Sequence, residues 1–168
     1  MSDTRRTMNI LEIVRVVAIA GSGVFAGILF GDRMGATFAR PVLDASSFLR
    51  FQRNQHVHFA RFMPPLTLAS VVGGLAWLIM VRAQWDTPQF WLLALATSAM
   101  TVGAVLTLSV NIPINNQLMT WNVDAPPENM REIWSRWEKI HTIRTVLWLG
   151  AFALEVVALA VFGSPAPN

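Results

Sequence analysis

The chain has 168 residues, of which 54% are hydrophobic and only 14% charged, and its mean hydropathy is +0.45. A soluble domain carries closer to about a quarter charged residues, so an ordinary water-soluble fold is excluded. The net charge of +3 is almost wholly arginine, with Lys139 the only lysine, and these arginines gather near the ends of apolar runs, which speaks against nucleic acid as a partner. Cysteine and tyrosine are both absent, so disulfides, Cys-x-x-Cys redox chemistry and tyrosyl acids are excluded as well.

Four apolar runs follow one another along the chain, at about residues 9–30, 64–82, 88–110 and 142–162. Each approaches the ~20 residues that cross a ~30 Å hydrocarbon core as a helix. The expected fold class is therefore all-α: an integral membrane four-helix bundle, one domain over residues 1–168, with two larger connections on one side. The first run follows Arg5 and Arg6 as a signal peptide would. Glu12 and Arg15 lie inside it and no small-residue cleavage site follows, so it reads as an uncleaved span. Gly23, Gly27, Gly31 and Gly35 recur every four residues near its end. That spacing lets membrane helices approach closely, either within one bundle or at a homodimer seam.

The first large connection contains "LRFQRNQHVHFARFMPPL", residues 49–66, with cations and aromatics interleaved. It reads as a helix approaching the membrane that Pro64 and Pro65 end or kink. His56 and His58 alternate, a spacing suited to a strand or turn, and with His141 they could hold copper or zinc. The simpler reading makes them solvated loop histidines, and a haem held by two histidines fits poorly, since only His141 comes near a span. The third run gives way to "NIPINNQLMTW", where Pro113 is expected to end or bend the helix. Asn115 and Asn116 follow, able either to cap the broken backbone or to hold a phenol or carbonyl. "VDAPPENMREIW" then reads as a helix start capped by Asp124 with prolines in its first turn.

The last segment carries Trp134, Trp137, His141, Arg144, Trp148, Phe152 and Glu155 at steps of three and four, one stripe of a helix. A lipid anchor would not need its indoles on a single face, which favours the bundle-facing reading. Glu155, deep in the span, needs a proton or a partner. Arg15, at similar depth, is the expected partner, though Glu12, one turn from Arg15, could equally pair with it; proton handling is the other role for Glu155.

Counting spans places both chain ends on one side and residues 31–63 and 111–141 on the other. The second side thus collects Gln55, His56, His58, Arg61, Asn115, Asn116, Trp137, His141 and Arg144 at one membrane boundary. It also holds most of the arginines, which by the positive-inside rule makes it cytoplasmic. The expected location is a bacterial inner membrane.

"IPINNQL" followed by "RWEKIHTIRT" resembles the DUF1772 family of small four-helix membrane proteins, which includes the anthrone oxygenases. The matching positions are Pro113, Asn115, Asn116, Trp137, His141 and Arg144, and His58 is similar to a histidine of some members. The resemblance implies oxidation of a flat phenolic, quinol-type or anthrone substrate, with O2 as co-substrate and without metal, flavin or other cofactor. On that reading His141 is the base, while Arg144, Asn115 and Asn116 stabilise the developing oxyanion. Trp137, Arg61, His58 and Trp148 would bind the small hydrophobic aromatic substrate. The alternative is a non-enzymatic membrane accessory, or a protein that binds lipid or quinone.

Overall fold

The computed structural model describes residues 8–162; Arg5 and Arg6, the flanking charges of the first run, lie outside them. Helix α1 (Ile10–Met34) starts at a reciprocal cap, in which Asn9 accepts from the Glu12 amide and Glu12 accepts from the Asn9 amide, both at 2.9 Å. A short helix α2 (Ala36–Ala39) and a 3-10 turn (Arg40–Val42) lead to α3 (Ala45–Met80), capped by Asp44. Helix α4 (Pro88–Leu106) begins with Thr87 as cap and proline in the first turn. It runs through a π-helical segment (Thr107–Asn111) into α5 (Ile112–Thr120), and α6 (Met130–Phe162) closes the chain. Four rods, Ile10–Val42, Ala45–Met80, Pro88–Thr120 and Met130–Phe162, are long and apolar enough to cross a membrane. The fold is the all-helical four-span bundle of an integral membrane protein.

For the prolines, expected to end or bend their helices, only the ending gives way, and the Asp124 cap gives way outright. Helix α3 does not end at Pro64 and Pro65 but runs on to Met80, 36 residues in all. The two prolines strip the Ala60 and Arg61 carbonyls of their helical donors. In a bilayer, however, every alternative to a helix leaves more backbone unsatisfied. The Thr67 and Ser70 hydroxyls meanwhile fold back onto the Met63 and Leu66 carbonyls, each at 2.8 Å. Pro113 likewise does not end its rod. The π segment adds a residue to the turn, with the Ile112 amide bonded to the Thr107 carbonyl, so Pro113 enters at the first turn of α5, where no donor is required. Asp124, finally, is no cap. Pro126 and Pro127 hold the preceding backbone extended, α6 starts later at Met130, and the exposed Asp124 instead pairs with Arg50 at 2.7 Å. Both large connections are thus mostly helical extensions of the spans.

The rods form a ring in the order α1, α3, α4, α6, and the seam between α3 and α4 is the loosest. Gly73 allows α3 to meet α1, since a Cβ there would lie 3.1 Å from the Ala18 Cα. Of the glycine ladder, Gly23 packs against Phe152, whereas Gly27 and Gly31 face open space. The core is layered. Ala18, Trp77, Val81, Leu93 and Ala158 pack near the end that holds the 81–87 turn. Phe25, Leu29, Met100 and Trp148 fill the middle. Phe48, Leu118, Met130, Trp134 and Trp137 fill the far end. Outward, Val24, Val72, Leu95, Val105 and Val146 are exposed, the apolar belt a bilayer covers.

Candidate active site

Between the middle and far layers lies a buried polar one. The inward stripe of α1 runs Ala18, Ser22, Phe25, Leu29, Asp32, in steps of three and four, and so delivers a carboxylate to the bundle interior. Asp32 Oδ1 accepts from Arg40 Nη2 at 2.6 Å and from Gln55 Nε2 at 2.7 Å. Arg40, fully buried, also donates to Gln52 (3.1 Å) and Thr37 (3.2 Å), and lies over the Trp134 and Trp137 rings at 5.5 Å each. Asp32 Oδ2 lies 3.1 Å from His141 Nε2, close enough for an ion pair but off the line of a hydrogen bond.

His141 stacks on Trp137, which in turn stacks on Trp134, with ring centroids 4.8 and 4.4 Å apart. Its Nδ1 receives Arg144 Nε and Nη2, each at 3.4 Å. Arginine can only donate, so Nδ1 is the acceptor and a neutral ring carries its hydrogen on Nε2, toward Asp32. Arg144 also donates to Thr107 Oγ1 at 2.9 Å, and Asn111 donates to the Trp137 carbonyl at 3.2 Å. The π segment therefore serves as the fixture that ties the third rod to the His141 face of α6. Arg144 is 7% exposed, and among the described residues it makes no ion pair with a carboxylate.

Of these groups Asp32, Gln55, Thr107, His141 and Arg144 line one end of a cavity of about 570 Å³, a size usual for small-molecule sites. Its walls are α3 (Gln52, His56, Phe59, Met63, Leu68) and the α4–α5 rod (Ala104, Leu108, Asn115, Asn116), and its back is α1 and α6. One pole is polar and the opposite end is lined by Phe25, Leu29, Leu68 and Val71.

The family model described as anthrone oxygenase matches residues 51–154, more than half of the chain. The chain belongs to the anthrone oxygenase family. No curated protein and no solved structure matches it. The matched segment contains His141, Arg144 and both asparagines, while Asp32 and Arg40 precede it. In this anthrone oxygenase family member the stripe of α6 is buried from Trp134 to Glu155 except for the half-buried Phe152, as its one-sidedness indicated.

The residues singled out in sequence are distributed as follows. His141, Arg144, Asn115, Asn116 and Trp137 line the cavity. Trp137 is sandwiched between Trp134 and His141, so it offers the cavity an edge and not a face for stacking. Trp148 lies in the middle core against Phe25, with centroids 4.1 Å apart, and does not line the cavity. His58 and Arg61 are exposed and do not line it either, because both lie on the face of α3 turned away from the cavity. Two residues along a helix differ by about 200°, so His56 faces the cavity and His58 faces away. The three histidines therefore do not converge, and among the described residues no cluster of three or more His, Cys, Asp or Glu side chains is placed to hold a metal.

Glu155 is also placed differently from expectation. Its Oε2 accepts from Ser22 at 2.5 Å, while the Arg15 guanidinium lies over Trp77 at 5.6 Å. Ser22 is seven residues beyond Arg15, roughly 10 Å deeper along α1, which puts Glu155 out of that cation's reach. Sequence reading missed Asp32, Arg40, Gln52, Thr107 and Asn111. The α1 stripe was the available signal for Asp32: it continues the inward spacing one turn past the apolar run.

Proposed function

We propose that this protein oxidises a flat phenolic or enolisable substrate with O2, as an anthrone oxygenase-type enzyme, at the polar pole of the cavity. The observation that carries the reading is Arg144, a buried guanidinium that among the described residues hydrogen-bonds only neutral groups, beside an imidazole backed by the Asp32 carboxylate. A buried cation that no carboxylate contacts directly is costly; Asp32 acts on Arg144 only from beyond His141 and is already paired with Arg40, and an anionic oxygen generated in the cavity would add the direct contact. The family match supports oxygenase-type chemistry, and the pairing of His141 with Asp32 supports proton abstraction.

The reaction runs as follows. Substrate places its oxygen at Arg144, drawing the guanidinium from His141 Nδ1 and freeing that lone pair. His141 takes the acidic proton at Nδ1, and Asp32 holds the resulting imidazolium through Nε2–H, the orienting role of a carboxylate in a catalytic triad. The carbanion, delocalised into the oxygen that Arg144 and Asn115 or Asn116 stabilise, passes one electron to O2. Recombination of the radical with superoxide forms a C–O bond. The imidazolium protonates the resulting peroxide anion; His141 then takes the remaining C–H proton as the O–O bond breaks and hydroxide leaves, and it passes that proton to the hydroxide as water. One O2 and one CH2 thereby yield one C=O and one H2O.

The experiment is oxygen uptake by purified protein given anthrones and hydroquinones, with His141→Ala and Arg144→Ala alongside. Uptake above the spontaneous rate that both variants lose is expected. Uptake equal to background with every substrate refutes the reading. The second reading, a non-catalytic binder of quinone or lipid, is favoured by the exposed apolar rim of the cavity, and saturable binding without oxygen uptake would establish it.

A further inference from the structure

The cavity is far longer than a fused three-ring system requires. It runs along α3 from Gln52 to Val71, nineteen residues or roughly 28 Å. Counting from the end that holds the 81–87 turn, Arg144 lies eighteen residues into α6 and Val71 nine residues into α3. The slot therefore continues roughly 13 Å below the polar pole toward the bilayer midplane. It is also open sideways, because the α3–α4 seam is the loosest of the ring. Leu68 and Leu108, one on each wall, line the slot yet are 64% and 65% exposed on the belt that faces lipid.

From this geometry we infer that the substrate is a membrane-resident amphiphile, a phenol bearing an apolar tail, which enters between α3 and α4 and is held with its ring at Arg144 and its tail between Leu68 and Leu108. The inference rests on the phenol-binding pole of the proposed function and names the substrate class that pole receives. A closed pocket would need only to match the ring. A lateral slot, polar at the membrane boundary and apolar toward the midplane, matches a molecule already oriented by the bilayer, whose head and tail lie at those depths before binding. Tail burial then removes apolar surface from lipid contact only, so the head supplies specificity and the tail supplies position.

The absence of cysteine gives a direct test. Leu68→Cys, Leu108→Cys and Val146→Cys are each labelled with trifluoroethanethiol and reconstituted in lipid nanodiscs. Val146 is the control, 66% exposed on α6 and outside the slot. Fluorine NMR is recorded during titration with 4-decylphenol and, separately, with phenol. A saturable shift at 68 and 108 with 4-decylphenol, absent at 146 and absent with phenol, is the expected result. No shift at 68 and 108, an equal shift at 146, or equal shifts with phenol would each overturn the inference. The first of those outcomes leaves the slot to lipid chains. The readout is binding, so failure of oxygen uptake and failure of the slot are separately visible.

Discussion

Replacing Asp32 by asparagine keeps the size of the side chain and removes the charge on which the polar layer is organised. The amide oxygen can still accept from Arg40 and Gln55, but both bonds lose their ionic partner. Hydrogen bonds to charged groups contribute about 1.5–3 kcal/mol, and removing one partner of a buried ion pair outright costs about 3–5 kcal/mol. Because the oxygen acceptor survives and Glu138 remains 3.6 Å from Arg40, Asp32→Asn is expected near the lower range, about 2–3 kcal/mol, and Asp32→Ala near the upper. The second effect is local. The new amide presents N–H to His141 Nε2–H, so the ring must move its hydrogen to Nδ1, where the Arg144 donors stand 3.4 Å away. Neither tautomer satisfies both neighbours, and the imidazolium loses its carboxylate. Oxygen uptake is expected to fall by about 10²–10⁴-fold, the usual worth of positioned acid–base catalysis. The assays are denaturant unfolding in detergent followed by helical circular dichroism, and initial oxygen uptake. A variant that unfolds at the wild-type midpoint and keeps its rate within twofold would refute both the charge accounting and the role of Asp32.

His58→Ala and Arg61→Ala, which alter exposed residues outside the cavity, should leave oxygen uptake within about twofold, the range expected for surface changes. A larger loss would mean that α3 turns its other face to substrate. Gly73→Ala sets a methyl 3.1 and 3.2 Å from backbone atoms of Ala18, which cannot yield as a side chain would. It should cost about 1–3 kcal/mol in unfolding experiments, whereas Gly27→Ala, with nothing within 4 Å of the added methyl, should cost nothing measurable.

The four rods and the buried stripe of α6 were legible because both are statements about apolar residues, their run length and their period. Boundaries were legible only within the bilayer. Hydropathy sees the segment that lipid demands, and the polar continuations of α3, α5 and α6 beyond it carry no such signature. Of the expectation that the prolines end or bend their helices, only the ending fails: Pro64 and Pro65 sit inside a continuous helix, and Pro113 follows a π turn in a continuous rod. The site was half legible. His141, Arg144 and the asparagines stood out as polar groups at a membrane boundary, whereas Asp32 passed as the polar end of a span. Arg40 and Arg131 show why side-counting of arginines is a weak guide. One is buried on Asp32, and the other donates to the Arg40 and Leu43 carbonyls (3.2 and 2.6 Å), closing the 3-10 turn.

The two carboxylates inside the bundle should respond oppositely to the same change. Asp32 is surrounded by donors, among them a guanidinium at 2.6 Å, so its charge is what the site uses. Glu155 is wholly buried, and among the described residues its one hydrogen-bond partner is the Ser22 hydroxyl; no cation pairs with it. Among the described residues neither its Oε1 nor Thr97 Oγ1 has a hydrogen-bond partner, and both lie 3.3 Å from the point a Cβ on Gly74 would occupy. A glutamine at 155 keeps the acceptor for Ser22 and brings an N–H₂ into the space in front of the Thr97 hydroxyl. Glu155→Gln is therefore expected to change stability by less than about 1 kcal/mol, the size of one neutral hydrogen bond gained or lost. Glu155→Leu removes the acceptor of Ser22 and should cost about 1–3 kcal/mol for the hydroxyl left unsatisfied. The comparison of Glu155→Gln with Asp32→Asn in the same unfolding assay is the sharp one. If the glutamine destabilises as much as the asparagine, Glu155 carries a charge that the fold depends on, and the division of the bundle into one ionic layer and one neutral layer is wrong.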